Sequence, residues 1–383
     1  MRRLALLLLL AATVLATAGS ASAEGAPRAN ARAYLVADAA TGEVIAARNT
    51  NARVPPASIT KLMTAIVVLE HARPRDAVRI GPLAASVGES SIDLRPGERL
   101  SVRDLLAATL IQSANDAAYA LAAHVGGGDV ARFVRLMNAK ARELGLRETH
   151  FVRPDGLDAP GHVSSASDVL ILARAAMRLP LVRELVRRRA ARIGGGRTLF
   201  TWNDLLGSFA GLVGVKTGHT ARAGWCEVAL ARRGGVSIYA VVLGSPTRAR
   251  RNEDLAELLE WGFEQYGRVR VVDGSRTYAT ADVPFAEEDL AIVPNRPATA
   301  VVRLGRPLVE EVVAPAIVAP PLRRGQPVGW IRIRAGDRVV TRRRLVAARD
   351  VPEPSLGARV GWYAGRALSE TGGIFGGLLG AVL

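Results

Sequence analysis

The chain has 383 residues, 49% of them apolar, and a formal net charge of +16, enough material to bury a full core and form two domains. Aromatic residues make up 5%, too few for base-stacking platforms on a basic groove, so nucleic acid is excluded as a partner. One cysteine, Cys226, excludes an intramolecular disulfide, and the excess of arginine points to anionic surfaces such as lipid headgroups or acidic wall polymers.

Residues 1–23 read as a secretory signal peptide, with Arg2 and Arg3, an apolar run over 4–15, and Ala21-Ser22-Ala23 before Glu24. The run is short for a membrane span, so the mature protein is expected in the periplasm or at the outer face of the cytoplasmic membrane and cell wall. Strands are predicted at 31–36 and 44–48 around Ala40-Thr41-Gly42, then a helix over 58–72 entered through Pro55-Pro56. Helical patterns recur at 102–112, 116–125, 129–144 and 167–177. After Gly194-Gly195-Gly196 come strands at 212–217, 224–232 and 236–243, and a helix over 251–266. Strands at both ends with helices between them predict an α+β domain over 24–272, whose first and last strands share a sheet. Short strands at 299–304, 328–334 and 338–346, with a turn at Ala335-Gly336-Asp337, predict a small all-β, sandwich-like domain over 273–351. Residues 352–383 read as a linker and an amphipathic tail. There Leu356, Val360, Tyr363 and Ala367 fall at helical spacing, and a membrane surface is the expected partner, with Trp362 and Tyr363 at headgroup level.

Lysine is scarce: only Lys61, Lys140 and Lys216 occur among 51 basic side chains. Arginine cannot give up its proton, whereas lysine can when burial or a neighbouring cation lowers its pKa. In Ser58-Ile59-Thr60-Lys61, positions i and i+3 share a helix face, so a neutral amine can activate the hydroxyl. The plainer alternative has Ser58 capping the helix and Lys61 solvated. In Ser113-Ala114-Asn115, Ser113 either caps the next helix, with Asp116 at its third position, or relays a proton while Asn115 holds a substrate carbonyl. Lys216-Thr217-Gly218-His219-Thr220 ends a strand, which places Lys216 and Gly218 on one face and Thr217 on the other. Gly218 leaves room for a peptide to add along the edge, and Lys216 adds charge that lowers the pKa of Lys61 and attracts a carboxylate. A turn with a surface lysine is the alternative there.

Together and in this order, with the flanks Pro56-Ala57-Ser58, Ser113-Ala114-Asn115-Asp116-Ala117 and Gly214-Val215-Lys216, the motifs S-x-x-K, S-x-N and K-T-G resemble those of the serine D-Ala-D-Ala carboxypeptidases. These are the low-molecular-mass penicillin-binding proteins of peptidase family S11, and Pro154-Asp155-Gly156-Leu157 and Trp261-Gly262-Phe263 are similar to the subgroup typified by penicillin-binding protein 5. The resemblance implies a β-lactamase/DD-peptidase-like domain, an antiparallel sheet flanked by helices. It implies Ser58 as acylated nucleophile, Lys61 as its base, Ser113 as proton shuttle and Asn115 as a substrate ligand. Lys216 and Thr217 would bind the terminal carboxylate, and Gly218 would lie along the substrate. Backbone N–H groups of Ser58 and His219 would form an oxyanion hole, and Arg251, ten residues before the Trp-Gly-Phe triplet, would meet the carboxylate.

The implied substrates are peptidoglycan stem peptides, with β-lactams as covalent inhibitors and no cofactor or metal. The five histidines are scattered, without H-E-x-x-H. Alternatives are a D,D-endopeptidase acting on crosslinks and a catalytically silent wall-binding protein, though a scaffold has no need for a deprotonable amine. Class A β-lactamases deacylate with a glutamate-activated water, and no Glu-x-x-Leu-Asn segment lies between Ser113 and Lys216. Val213, Ala114 and the glycine-rich tail depart from the common family pattern.

Overall fold

A computed structural model describes residues 10–12, 25 and 27–363. The chain divides into two units, Ala23–Gln265 and Tyr266–Leu383, the latter together with Met1–Ser22. The leader expected over 1–23 lies outside the described residues except for Leu10–Ala12, and so does the tail beyond residue 363.

The larger unit is built on an antiparallel sheet of β1 (Ala33–Asp38), β2 (Val44–Arg48), β3 (Leu212–Thr220), β4 (Gly224–Arg233) and β5 (Val236–Ser245). The order is β2-β1-β5-β4-β3, so the first strand of the unit pairs with the last, as expected from the sequence. Every residue of β1 is buried because both faces of the sheet are covered. Helix α1 (Lys61–His71) is buried from Lys61 to Val68 and runs through the main core. Besides a short helical turn at Pro82–Ala85, the others are α2 (Val102–Ala107), α3 (Asn115–Gly126), α4 (Val130–Glu143), α5 (Ala166–Ala176), α6 (Pro180–Val186) and α7 (Arg248–Glu264). On the opposite face to α1, α7 lies so close that a Cβ on Gly262 would stand 3.0 Å from Val36 and Ile238.

Two departures from the predicted helices shape the site. Residues 58–72 are not one α-helix: Ala57–Thr60 form a 3₁₀ turn, and α1 begins only at Lys61. Pro56 precedes the turn, and Ala57 adopts φ 49°. Over 102–112, α2 is capped by Ser101 and passes into a π turn, Ala108–Gln112, which widens the last turn and ends at Ser113 with φ 66°. The N-cap of α3 is therefore Ala114, and Ser113 is instead the C-cap of the π turn.

In the smaller unit β6 (Tyr266–Val272) pairs with β9 (Ala298–Arg303). That pairing places Tyr266–Val272 in this unit, seven residues ahead of the change of character read at 273. The main sheet holds β7 (Ala279–Ala281), β8 (Leu290–Pro294), β10 (Leu308–Val313), β11 (Pro327–Ala335) and β12 (Arg338–Ala347), in the order β10-β11-β12-β8-β7. Leu10–Ala12 pair along the outer edge of β10. Alternation turns Ile331 and Ile333 into a core with Val272, Leu290, Ile292 and Leu345. Residues 356–363 are helical, with Leu356, Val360 and Tyr363 exposed and Trp362 packed 5.0 Å from the Phe285 ring. No helix among the described residues is long and apolar enough to cross a membrane.

Candidate active site

The tight turn before α1 brings Ser58 over Lys61, whose Nζ donates to Ser58 Oγ, Asn115 Oδ1 and the backbone oxygen of Asp155, each at 2.7 Å. Lys61 is fully buried, and burial is the leading cause that pushes its pKa down to about 8; Asp155 opposes the shift and Arg153 adds to it. The expectation that the Lys216 charge lowers Lys61 is thus replaced by desolvation. The loop that supplies the Asp155 carbonyl is fixed by its own carboxylate, which accepts from Arg153 Nε at 2.6 Å and from the Leu157 N–H at 3.2 Å. Next to it Gly156 sits at φ +89°, where a Cβ would fall 2.0 Å from the Ala57 oxygen, so only glycine lets this loop close on the turn.

Ser113, held in its left-handed conformation by the π turn, accepts from Lys216 Nζ at 3.0 Å. Lys216 also donates to the Thr217 oxygen at 2.7 Å, and burial first, then the Lys61 charge, drives its pKa well down. Strand alternation holds: Lys216 and Gly218 face the side of Ser58 and Ser113. A Cβ on Gly218 would stand 2.9 Å from both the Ala57 Cβ and the Ser58 nitrogen, so glycine lets β3 lie directly against the turn.

A cleft of about 250 Å³ opens here, lined by Ser58, Ser113, Thr217, Gly218, His219 and Arg251, together with Glu89, Ser90, Trp202, Trp225 and Arg248. The other three predicted residues, Lys61, Asn115 and Lys216, are buried and reach the lining through hydrogen bonds to Ser58, Lys61 and Ser113 respectively. The His219 ring stacks on Trp225 at 4.0 Å. Arg251, from the first turn of α7, is 1% exposed, with Nη2 3.1 Å from Asp204 Oδ2 and Nε 3.2 Å from Glu227 Oε2. Among the described residues no cluster of His, Cys, Asp and Glu could hold a metal ion. Cys226 is buried within β4, and burial pushes its thiol up to about 11, so it is a packing residue.

The family model for D-alanyl-D-alanine carboxypeptidases matches residues 20–247. The chain belongs to this family. It is 30% identical over 334 residues to the D-alanyl-D-alanine carboxypeptidase DacF of Bacillus subtilis, covering 84% of this chain and 86% of that one. Penicillin-binding protein 6B of Escherichia coli superposes with a TM-score of 0.64 at 30% identity, over 85% of this chain and 98% of that one. Penicillin-binding protein D2 of Listeria monocytogenes, solved in an ampicillin-bound form, matches with a TM-score of 0.57 at 34% identity, over 62% of this chain and all of that one. The protein is thus a serine-type D-Ala-D-Ala carboxypeptidase with a penicillin-binding fold and a sheet-rich second domain.

Several residues of this carboxypeptidase's cleft were not picked out in the sequence. Trp202 and Glu89 come from loops with no motif of their own. Asp155 stands in the recognised Pro154-Asp155-Gly156-Leu157 segment, but nothing in the spacing announces that its carbonyl meets Lys61. Glu227 had a legible signal: it is the single charge inside the otherwise apolar run 224–230.

Proposed function

We propose that this carboxypeptidase is exported and removes the terminal D-Ala from peptidoglycan stem peptides ending in D-Ala-D-Ala, through an acyl-enzyme on Ser58. The observation that carries the reading is the 2.7 Å line between Ser58 Oγ and the buried, pKa-lowered Lys61 Nζ. Neutral Lys61 takes the Ser58 proton as Oγ forms a bond to the penultimate D-Ala carbonyl carbon. Backbone N–H groups of Ser58 and His219 face the oxyanion. The C–N bond then breaks, Ser113 passes a proton to the leaving amine, and water later hydrolyses the ester. Asn115 holds the substrate backbone, Gly218 leaves the β3 edge open to it, and Lys216, Thr217 and Arg251 bind the terminal carboxylate.

β-Lactams acylate the same hydroxyl in this reading, and the ampicillin-bound relative supports it. Export is supported by the Ala21-Ser22-Ala23 site, and contact of the tail with a membrane surface by exposed Leu356, Val360 and Tyr363. The deciding experiment incubates the protein and its Ser58→Ala variant with a pentapeptide ending in D-Ala-D-Ala, and weighs products and protein. D-Ala release should fall by about 10⁴-fold or more in the variant, and a labelled penicillin should add mass only to the parent. Undiminished release would end the proposal. Faster cleavage of crosslinked than of uncrosslinked muropeptides would move it to the endopeptidase reading.

A further inference from the structure

Glu227 takes no part in the chemistry above, yet it lies under the end of the cleft assigned to the substrate's carboxylate. It sits on β4 directly across the ladder from Thr217, so both point to the face covered by α7. Its carboxylate is fully buried, and Oε2 is 3.2 Å from Arg251 Nε. The contact is ionic rather than a well-formed hydrogen bond: Arg251 Nε donates to Asn252 Oδ1 at 3.1 Å, and neither Glu227 oxygen has a well-aligned donor. The Asn203 amide and Asp204 from the loop before β3 also face it, the charge of Lys216 on the opposite face of β3 acts on it through the sheet, and β5 contributes Val242 across the ladder and no charge. A buried carboxylate with so few donors costs stability, and an apolar side chain would fill the same space better. Its position beneath Thr217 and beside Arg251 accounts for its presence.

We infer that Glu227 is a positioning residue that holds Arg251 from below and, by gaining or losing one proton, sets how much of the guanidinium's charge is left for the substrate's terminal carboxylate. The inference rests on the reading of Arg251 as a carboxylate ligand. Burial, against the pull of Arg251, pushes Glu227 up to about 7, so the switch falls in the physiological range. Protonated Glu227 leaves Arg251 paired with Asp204 alone; ionised Glu227 adds a second negative charge beside it and withdraws more of the guanidinium's charge from the substrate. By linkage, an arriving carboxylate raises the Glu227 pKa further, and binding takes up a proton near pH 7. A tenfold difference in affinity between the protonated and ionised forms corresponds to about fivefold weaker binding at pH 8 than at pH 6.

The test uses the full chain carrying Ser58→Ala, which holds the peptide without turning it over. Calorimetric titration with a peptide ending in D-Ala-D-Ala, at pH 6, 7 and 8 and in two buffers of different ionisation enthalpy, reads affinity and proton uptake together. The expected result is uptake of a fraction of a proton at pH 7 that disappears on adding Glu227→Gln, with affinities at pH 6 and 8 drawn together. Glu227→Leu should weaken binding at every pH, with Gln restoring it. Proton uptake and a fivefold pH dependence that persist in the Gln variant would overturn the inference, because Lys61 or Lys216 would then carry them. Two other failures read differently. Unchanged binding in Arg251→Ala would remove the carboxylate role on which the inference stands, and no binding by Ser58→Ala itself would remove the proposed function.

Discussion

Lys61, Lys216, Glu227 and Arg251 of the larger unit are each 3% exposed or less, whereas Arg332, Arg334, Arg342 and Arg344 of the smaller unit lie on the solvent face of β11 and β12. On that face Arg332 and Arg342 stand directly opposite each other and both lie over Trp330, at 4.7 and 4.5 Å. Arg332 and Arg334 share Glu311 at 3.5 and 3.3 Å, both ends partly exposed. Surface pairs of this kind contribute about 0–1 kcal/mol, so the smaller unit is held by its apolar core and its charge is nearly free to vary. Burying the four groups of the larger unit costs several times more, and folding alone gives no reason to keep them. The same residue types therefore carry opposite information in the two units.

The contrast can be broken first at Lys61. Lys61→Arg keeps the charge but not the removable proton, and D-Ala release should drop by about 10³-fold. In the parent the rate should climb as pH rises through about 8, where Lys61 becomes neutral, and that limb should vanish in the variant; a surviving limb would point to another base. In the smaller unit the vulnerable position is apolar. Ile331→Ala should cost about 2–5 kcal/mol by urea unfolding of that unit, while D-Ala release from a soluble peptide persists.

A subtler test concerns buried groups with opposed signs. Burial pushes His162 from 6.5 down to about 4, so its stabilising contribution is full above 6.5 and is lost as pH falls through that window. Glu227 is pushed from 4.5 up to about 7, so its contribution is full below 4.5 and is lost as pH rises to 7. In the parent the two slopes oppose each other between pH 4.5 and 6.5. Glu227→Gln removes one of them, and on going from pH 7 to 4.5 the variant should lose about 3 kcal/mol more stability than the parent, measured by denaturant unfolding. Equal pH slopes would show that Glu227 titrates normally. The smallest effect belongs to Arg342→Ala, which should change stability by no more than about 0.5 kcal/mol.

How much of this was legible follows the range of the interactions. The Ser58–Lys61 contact was readable because three residues of spacing suffice on either an α or a 3₁₀ turn, although the turn type was misread. Ser113 was open to a capping reading because the π turn that displaces it is set by packing around 108–112, not by any residue signal. The strand at Tyr266–Val272 was read as the end of a helix and its sequel, since its partner lies at Ala298–Arg303, beyond any local pattern. Arg251 was located only by its offset from Trp261-Gly262-Phe263, and Glu227, visible as the single charge in 224–230, could not be paired with it because the two lie on different elements.

The three oxygens around Lys61 Nζ have a consequence for timing. An ammonium has three N–H bonds and finds three acceptors, so the resting arrangement is saturated and the Ser58 oxygen is tied up as a recipient. Removing one proton leaves two N–H bonds and a lone pair. Of the three neighbours only the Ser58 hydroxyl can turn round and donate, because the other two oxygens are carbonyls. Loss of a single proton thus reverses the polarity of one short contact and arms the alcohol, with no heavy atom required to move.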